Sequence, residues 1–496
     1  KKVGAPGPPG RPAAGGPPPE GRGAGRPFAR FSGFCRIMVT GGNFFRVSFY
    51  EKVPRKRRGG CRLRQAARIR LRLAAKEKIM EKYIVKGGRP LYGEVNIQSA
   101  KNSVLPLLAA SVLTDEKVII HRCPRIADVL NMVQILGELG CKTGFQGDSL
   151  VIDSADAANH EIPSALAKEL RSSVFMLGSV IARFGRARIA YPGGCDIGLR
   201  PIDLHLSGLR RLGVQITEDG GYIDCTVEKT VGADILLDCP SVGATENIIL
   251  AAVKGKGRTV IRNAAKEPEI ADLQNFLNRM GAKVSGAGSA TVIVEGVGKL
   301  HGAEYTPIPD RIEAGTFLIA AAMCGGELLV KNALSENLAA LLHKLREISC
   351  KIHAENDKIY ISSKRRLSPK LIETSPYPGF PTDLQAPATA LACICEGSTV
   401  VVENLFETRF KHVPELLRMG ADITVRGRSA FIRGVPALHG ADVYAGDLRG
   451  GAALTLAAIA AEGESTVSDL YHIDRGYTDF EQKLRGAGAD IRRIRV

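Results

Sequence analysis

Within this 496-residue chain the stretch with the most chemical potential is Pro192-Gly193-Gly194-Cys195-Asp196-Ile197-Gly198-Leu199-Arg200-Pro201-Ile202-Asp203-Leu204-His205. Glycines on both sides place Cys195 on a mobile loop between a strand and a helix, whereas an unreactive cysteine prefers the core. Arg200, five residues on, can hold an anion near the thiol. The competing reading is an incidental loop thiol.

Other residues suit anionic chemistry. Lys101-Asn102 opens an apolar helix, where a lysine opposes the helix dipole and is better explained by an anionic ligand. A solvated first-turn lysine is the alternative. Asp383, in Gly379-Phe380-Pro381-Thr382-Asp383, precedes another apolar helix as either an N-cap or a general base. Asp447-Leu448-Arg449 and His472-Ile473-Asp474-Arg475-Gly476-Tyr477 put further arginines at boundaries between repeated units. Four cations, one thiol and one carboxylate at equivalent edges suit a substrate bearing phosphate and carboxylate groups.

The elements that must position these residues repeat. A signature of Leu, two residues, an apolar residue and a small residue ends at Gly140, Gly213, Gly281, Ser349, Gly420 and Gly488. The two apolar side chains share one helix face, and the small residue supplies a left-handed cap. Strand-like runs follow, such as Ser149–Asp153 and Lys358–Ser362. Before each signature lies a helix apolar all round, such as Thr316–Ala322, and then a β-branched strand. Each unit therefore reads helix–strand–helix–strand–strand, and six of them make an α/β protein. The phosphate-binding GxxxxGK[ST] and GxGxxG patterns are missing, which sets aside P-loop and Rossmann readings.

Charge narrows the function. The net charge is +17, yet residues 1–79 carry 20 Lys and Arg against 3 Asp and Glu, and the other 417 residues carry 48 of each. A nucleic-acid-binding body is therefore not expected. The Pro/Gly-rich, basic residues 1–79 read as a disordered extension, non-native upstream sequence, or a transit peptide that would imply organellar import. No CxxC pair or His/Cys cluster has metal-site spacing, so no metal is expected. No apolar run reaches 18 residues, so no membrane span is expected.

From Met80 to Val496 the chain resembles the UDP-N-acetylglucosamine 1-carboxyvinyltransferase family, the enolpyruvyl transferases of peptidoglycan synthesis. The resemblance rests on Ala100-Lys101-Asn102, the Pro192–Cys195 and Arg200–His205 runs, Ser241-Val242-Gly243, Pro309–Glu313, Phe380–Asp383, Asp447–Arg449 and His472–Tyr477. It implies an inside-out α/β barrel of two pseudo-symmetric domains, each of three repeated units. Residues 101–308 would form the first, and 80–100 with 309–496 the second. It also implies a cytoplasmic bacterial enzyme acting on phosphoenolpyruvate and UDP-N-acetylglucosamine without a cofactor, and a fosfomycin target. Cys195 would protonate C3 of phosphoenolpyruvate and could form an adduct with it, while Asp383 would take the proton of the sugar 3-hydroxyl. Lys101, Asn102, Arg200, Arg449 and Arg475 would hold phosphoenolpyruvate. Asn102, Arg171, Arg200, Pro201, Ile202, Asp203, Leu204, Ser241, Val242, Gly243, Asp383 and Leu405 would line the UDP-sugar site. Ser99, Gly450 and Cys239-Pro240 depart from the family pattern, away from the reacting groups. The alternative is the sister transferase acting on shikimate 3-phosphate, which lacks the cysteine-bearing loop.

Overall fold

The computed structural model describes residues 81–193, 202–364 and 371–495. The expectations for residues 1–79, and for Cys195, Arg200 and Pro201, lie outside the described residues. Among those described, six four-stranded sheets alternate with six buried helices: Lys101–Ala110, Met176–Phe184, Val242–Ala252, Arg311–Cys324, Gln385–Cys393 and Leu448–Ala460. The last of these has every residue buried, as its all-round apolar sequence requires.

The repeat signature has a shared geometric cause. Six amphipathic helices end immediately before the small residues, and Gly140, Gly213, Gly281, Ser349, Gly420 and Gly488 all take positive φ, between 72° and 97°. After each one, the next residue's N–H bonds back to the signature leucine's carbonyl, as in Cys141 to Leu136 at 2.9 Å and Ala489 to Leu484 at 3.0 Å. This closure satisfies a terminal carbonyl and turns the chain directly into a strand.

Each sheet has three antiparallel strands. The fourth is a parallel edge strand as short as Glu161–Ile162 or Glu304–Tyr305, too short to show alternation in the sequence. The last unit borrows its inner strand from the start of the described chain. Glu81–Lys86 lies between Glu464–Ser468 and Asp490–Arg495, antiparallel to both. Leu91–Asn96 likewise completes the sheet of Gly326–Lys331.

Buried apolar side chains form two clusters. One spans Val104 to Leu300, and the other combines Tyr83–Ile97 with Ile312–Ile491. Each contains three of the buried helices, giving two lobes of three units. The chain crosses between them twice, side by side. Ala100 N–H donates to Ile308 at 2.8 Å, Asp310 N–H donates to Gln98 at 2.9 Å, and Ser99 bridges Pro309. Lys101 begins directly beyond this double crossing, which puts it at the seam.

Candidate active site

Asp310 shapes the seam. Its carboxylate caps the Arg311–Cys324 helix by accepting from Ile312 and Glu313 N–H, and it also accepts from Lys101 N–H at 3.3 Å. The Lys101 side chain is neither solvated nor unpaired. Its Nζ lies 3.1 Å from Asp128 Oδ2, with the lysine side chain 14% exposed.

Asp128 also receives Arg475, 347 residues away in sequence. Arg475 Nε donates to Oδ1 at 2.8 Å and Nη2 to Oδ2 at 3.5 Å. Burial drives the Asp128 carboxyl upward, but Lys101 and Arg475 together outweigh it and hold the group below the usual carboxylate range. Asp128 sits in the first turn of the Ala127–Glu138 helix, where an acidic residue reads as an ordinary dipole partner. Its local position therefore carries no mark of the pairing in the sequence.

A second cluster surrounds Asp383. This residue is not an N-cap, because the Gln385–Cys393 helix starts from Leu384 with no side-chain cap. Instead, Arg449 Nη2 donates to Oδ2 at 2.9 Å and Arg409 Nη2 to Oδ1 at 2.5 Å. Burial raises the carboxyl, yet Arg449, Arg409 and then Lys101 overcome it, and the group is held far below its ordinary range. Lys101 is thus electrostatically shared by both clusters. Asp447 caps the Leu448–Ala460 helix by accepting from Arg449 and Gly450 N–H, which fixes where Arg449 leaves the helix. The Arg449 guanidinium stacks 5.3 Å from the Tyr477 ring, and its Nη1, buried, has no hydrogen-bond partner among the described residues. A buried donor without a partner is costly unless an anion takes it.

The Asp383 turn is tied to Leu405 by Glu403, which is fully buried. One oxygen of Glu403 accepts from Thr382 Oγ1 at 2.8 Å; the other accepts from Thr374 Oγ1 at 3.0 Å and Leu405 N–H at 2.9 Å. Arg409 and Glu403 belong to no motif and left no signal in the sequence.

A third convergence lies at Gly243. A Cβ there would sit 2.9 Å from His205 Cε1 and 3.1 Å from Phe175 Cε1. Three segments therefore meet: the turn Arg171–Phe175, the start of the Asp203–Arg211 helix after Ile202, and the Ser241-capped start of Val242–Ala252. His205 Nδ1 and Asn247 Nδ2, 3.1 Å apart, join the last two. Asn102 is half-buried beside Lys101. Cys239 is exposed ahead of Ser241, whereas Ser99 is buried in the double crossing. A Cβ at Gly450 would lie 2.6 Å from Asp447 Oδ2, so that carboxylate would have to shift to admit a side chain. Among the described residues no group of three His, Cys, Asp or Glu could hold a metal ion, and no helix is long and apolar enough to cross a membrane.

Comparison with known proteins shows the family to which the chain belongs. Residues 85–484 match the EPSP synthase (3-phosphoshikimate 1-carboxyvinyltransferase) family. UDP-N-acetylglucosamine 1-carboxyvinyltransferase 2 of Caldanaerobacter subterraneus subsp. tengcongensis is 55% identical over 416 residues, 84% of this chain and 100% of the relative. The chain belongs to the UDP-N-acetylglucosamine 1-carboxyvinyltransferase family. A second such carboxyvinyltransferase, from Symbiobacterium thermophilum, is 49% identical over 86% of this chain and 99% of its own length. Among solved structures, the enolpyruvyl transferase NikO from Streptomyces tendae is 26% identical with a TM-score of 0.77, over 84% of this chain and all of NikO. EPSP synthase from Acinetobacter baumannii is 18% identical with a TM-score of 0.65, over 84% of this chain and all of its own, and shares the fold. Carboxyvinyltransferases of this family thus share with NikO and EPSP synthase the two-domain inside-out α/β architecture seen here.

Proposed function

We propose that this chain transfers the enolpyruvyl group of phosphoenolpyruvate to the 3-hydroxyl of UDP-N-acetylglucosamine, the step that commits a nucleotide sugar to peptidoglycan. In the proposed reaction the Cys195 thiol gives a proton to C3 of phosphoenolpyruvate. Asp383 takes the proton of the sugar 3-hydroxyl, whose oxygen attacks C2. The tetrahedral adduct then loses a proton from C3 and its phosphate, leaving the enol ether. Lys101, Arg475 and Arg449, with Arg200, hold the phosphate and carboxylate, so positive charge is in place before the adduct forms. The segments meeting at Gly243, with Asn102 and Leu405, receive the UDP-sugar. Domains of 101–308 and of 80–100 with 309–496 would close over the substrates and exclude water.

The observation that carries this reading is the carboxylate of Asp383 gripped by two arginines within the field of Lys101, in a chain 55% identical to a carboxyvinyltransferase. A carboxylate so strongly stabilised as the anion is a poor base. A phosphoenolpyruvate anion drawing Arg449 toward itself would loosen that hold and raise the basicity of Asp383 when the substrate is present. We also assign the enzyme to the bacterial cytoplasm, where its substrates are made, and as a target of the epoxide fosfomycin.

The test is phosphate release from phosphoenolpyruvate with UDP-N-acetylglucosamine, with shikimate 3-phosphate, or with neither, using wild type and Cys195→Ala. Release that requires the UDP-sugar, is lost in the variant and is blocked by fosfomycin supports the assignment. Release with shikimate 3-phosphate instead would transfer it to the sister reaction.

A further inference from the structure

Asp128 presents an apparent contradiction. Lys101 and Arg475 are the cations to which the proposed function gives the phosphate and carboxylate of phosphoenolpyruvate, yet both are bound to a carboxylate of the protein itself. The side chain of Asp128 is 3% exposed, so water does little to weaken these pairs. The pairing also joins the two lobes. The Ala127–Glu138 helix packs Val129, Met132 and Ile135 into the first apolar cluster, whereas Arg475 follows Ile473 of the second. A buried carboxylate making three charge-assisted contacts in this position costs desolvation, which Lys101 and Arg475 offset.

We propose that Asp128 is a positioning residue for the transfer and a built-in competing anion. It holds Lys101 and Arg475 in register across the seam, and it keeps their grip on free phosphate weak. The three side chains together carry one net positive charge, where two bare cations would carry two. A small anion such as inorganic phosphate must displace or share with Asp128 to reach Lys101 and Arg475. Phosphoenolpyruvate brings a second anionic group and can engage Arg449, whose Nη1 has no hydrogen-bond partner among the described residues, at the same time. The product phosphate, detached from that second group, is released. The device thus discriminates substrate from product at the same pair of cations.

The inference rests on the proposed function, and the experiment separates the two. Wild type, Asp128→Asn and Asp128→Glu are compared for turnover, for KM of each substrate, and for competitive inhibition by inorganic phosphate. In Asp128→Asn the phosphate Ki should fall about fivefold or more, because the competing charge is gone. Its kcat should fall at least about tenfold, because the two cations are no longer aligned. KM for the UDP-sugar should stay within about twofold, a selectivity that general loosening of the fold would not give. Asp128→Glu keeps the charge at a different reach, so phosphate Ki should stay near the wild-type value while kcat falls.

An unchanged or higher phosphate Ki in Asp128→Asn overturns the proposal, as does a parallel rise in both KM values. Should Asp128→Asn fail to fold by circular dichroism, Asp128→Glu decides, and an unaltered kcat there overturns the positioning role. A wild type with no turnover would refute the proposed function. Phosphate affinity of the same proteins, read by calorimetry, would then judge Asp128 by the same ratios.

Discussion

Arg449 donates from Nη2 to Oδ2 of Asp383 at 2.9 Å, joining two turns 66 residues apart. With Arg409 on the other oxygen, the pair holds the carboxylate in a fixed orientation and as the anion. The same contact that aims the proposed base also suppresses it, so its strength depends on what else Arg449 can bind.

Replacing Asp383 by Asn keeps the shape and removes both charge and basicity. A positioned general base is worth about 10²–10⁴ in rate. Asp383→Asn should therefore lower kcat by that range while KM for phosphoenolpyruvate changes much less. Steady-state kinetics measure this, and a variant retaining more than about a tenth of wild-type kcat would remove Asp383 from the base role.

Acid stability should depend on Asp128. Its folded carboxyl lies below the usual range, so its ion pairs contribute stability above the unfolded pKa of about 3.9, and that contribution is lost as pH falls below this value toward the folded pKa. Wild type should accordingly exceed Asp128→Asn in urea midpoint at pH 6, and the gap should narrow between about pH 4 and pH 3. A gap independent of pH would mean the carboxylate charge contributes nothing.

Glu246 presents the opposite sign. It lies fully buried on the Val242–Ala252 helix, with neither carboxylate oxygen hydrogen-bonded among the described residues, near Glu269 and Glu267. Burial, reinforced by those two acids, pushes its carboxyl well above the ordinary value. The unfolded chain ionises from about pH 4.3 upward while the folded one resists, so stability is lost as pH rises through the folded pKa. Glu246→Gln should raise Tm, by about 2 °C or more at pH 8 and by less at pH 5. Thermal scans at the two pH values check this, and an equal or larger gain at pH 5 would reverse the assignment.

Ser349 stands at φ 72° in the capping position where the other five units have glycine. A side chain in the left-handed region costs roughly 1–2 kcal/mol, partly offset by the greater freedom glycine has when unfolded. Ser349→Gly should stabilise by about 0.5–1 kcal/mol, seen as a higher urea midpoint at unchanged slope.

Much of the architecture was legible along the chain because it depends on local rules. A left-handed cap needs glycine or a small substitute, and a buried helix needs apolar residues on every side; both leave a mark at one position or over one window. The count of six units and the start of a buried helix at Lys101 follow from such marks. The two-residue edge strands left none, because alternation needs more residues than they have.

The candidate site divides in the same way. Lys101, Asp383, Arg449 and Arg475 stood out as candidates because charged residues beside apolar helices are locally anomalous. Asp128, Arg409 and Glu403 look ordinary where they stand: an acid in a first helical turn, an arginine in a polar stretch, a glutamate after a strand. Their importance comes from partners up to 347 residues away: the meeting of two lobes beside the double crossing brought Arg475 to Asp128, and folding within the second lobe brought Arg409 to Asp383 and Glu403 to Thr382. Sequence determined the types of charge available and the elements that carry them. Tertiary structure decided which charges neutralise one another, because Coulomb and hydrogen-bond energies depend on distance and burial rather than on separation along the chain.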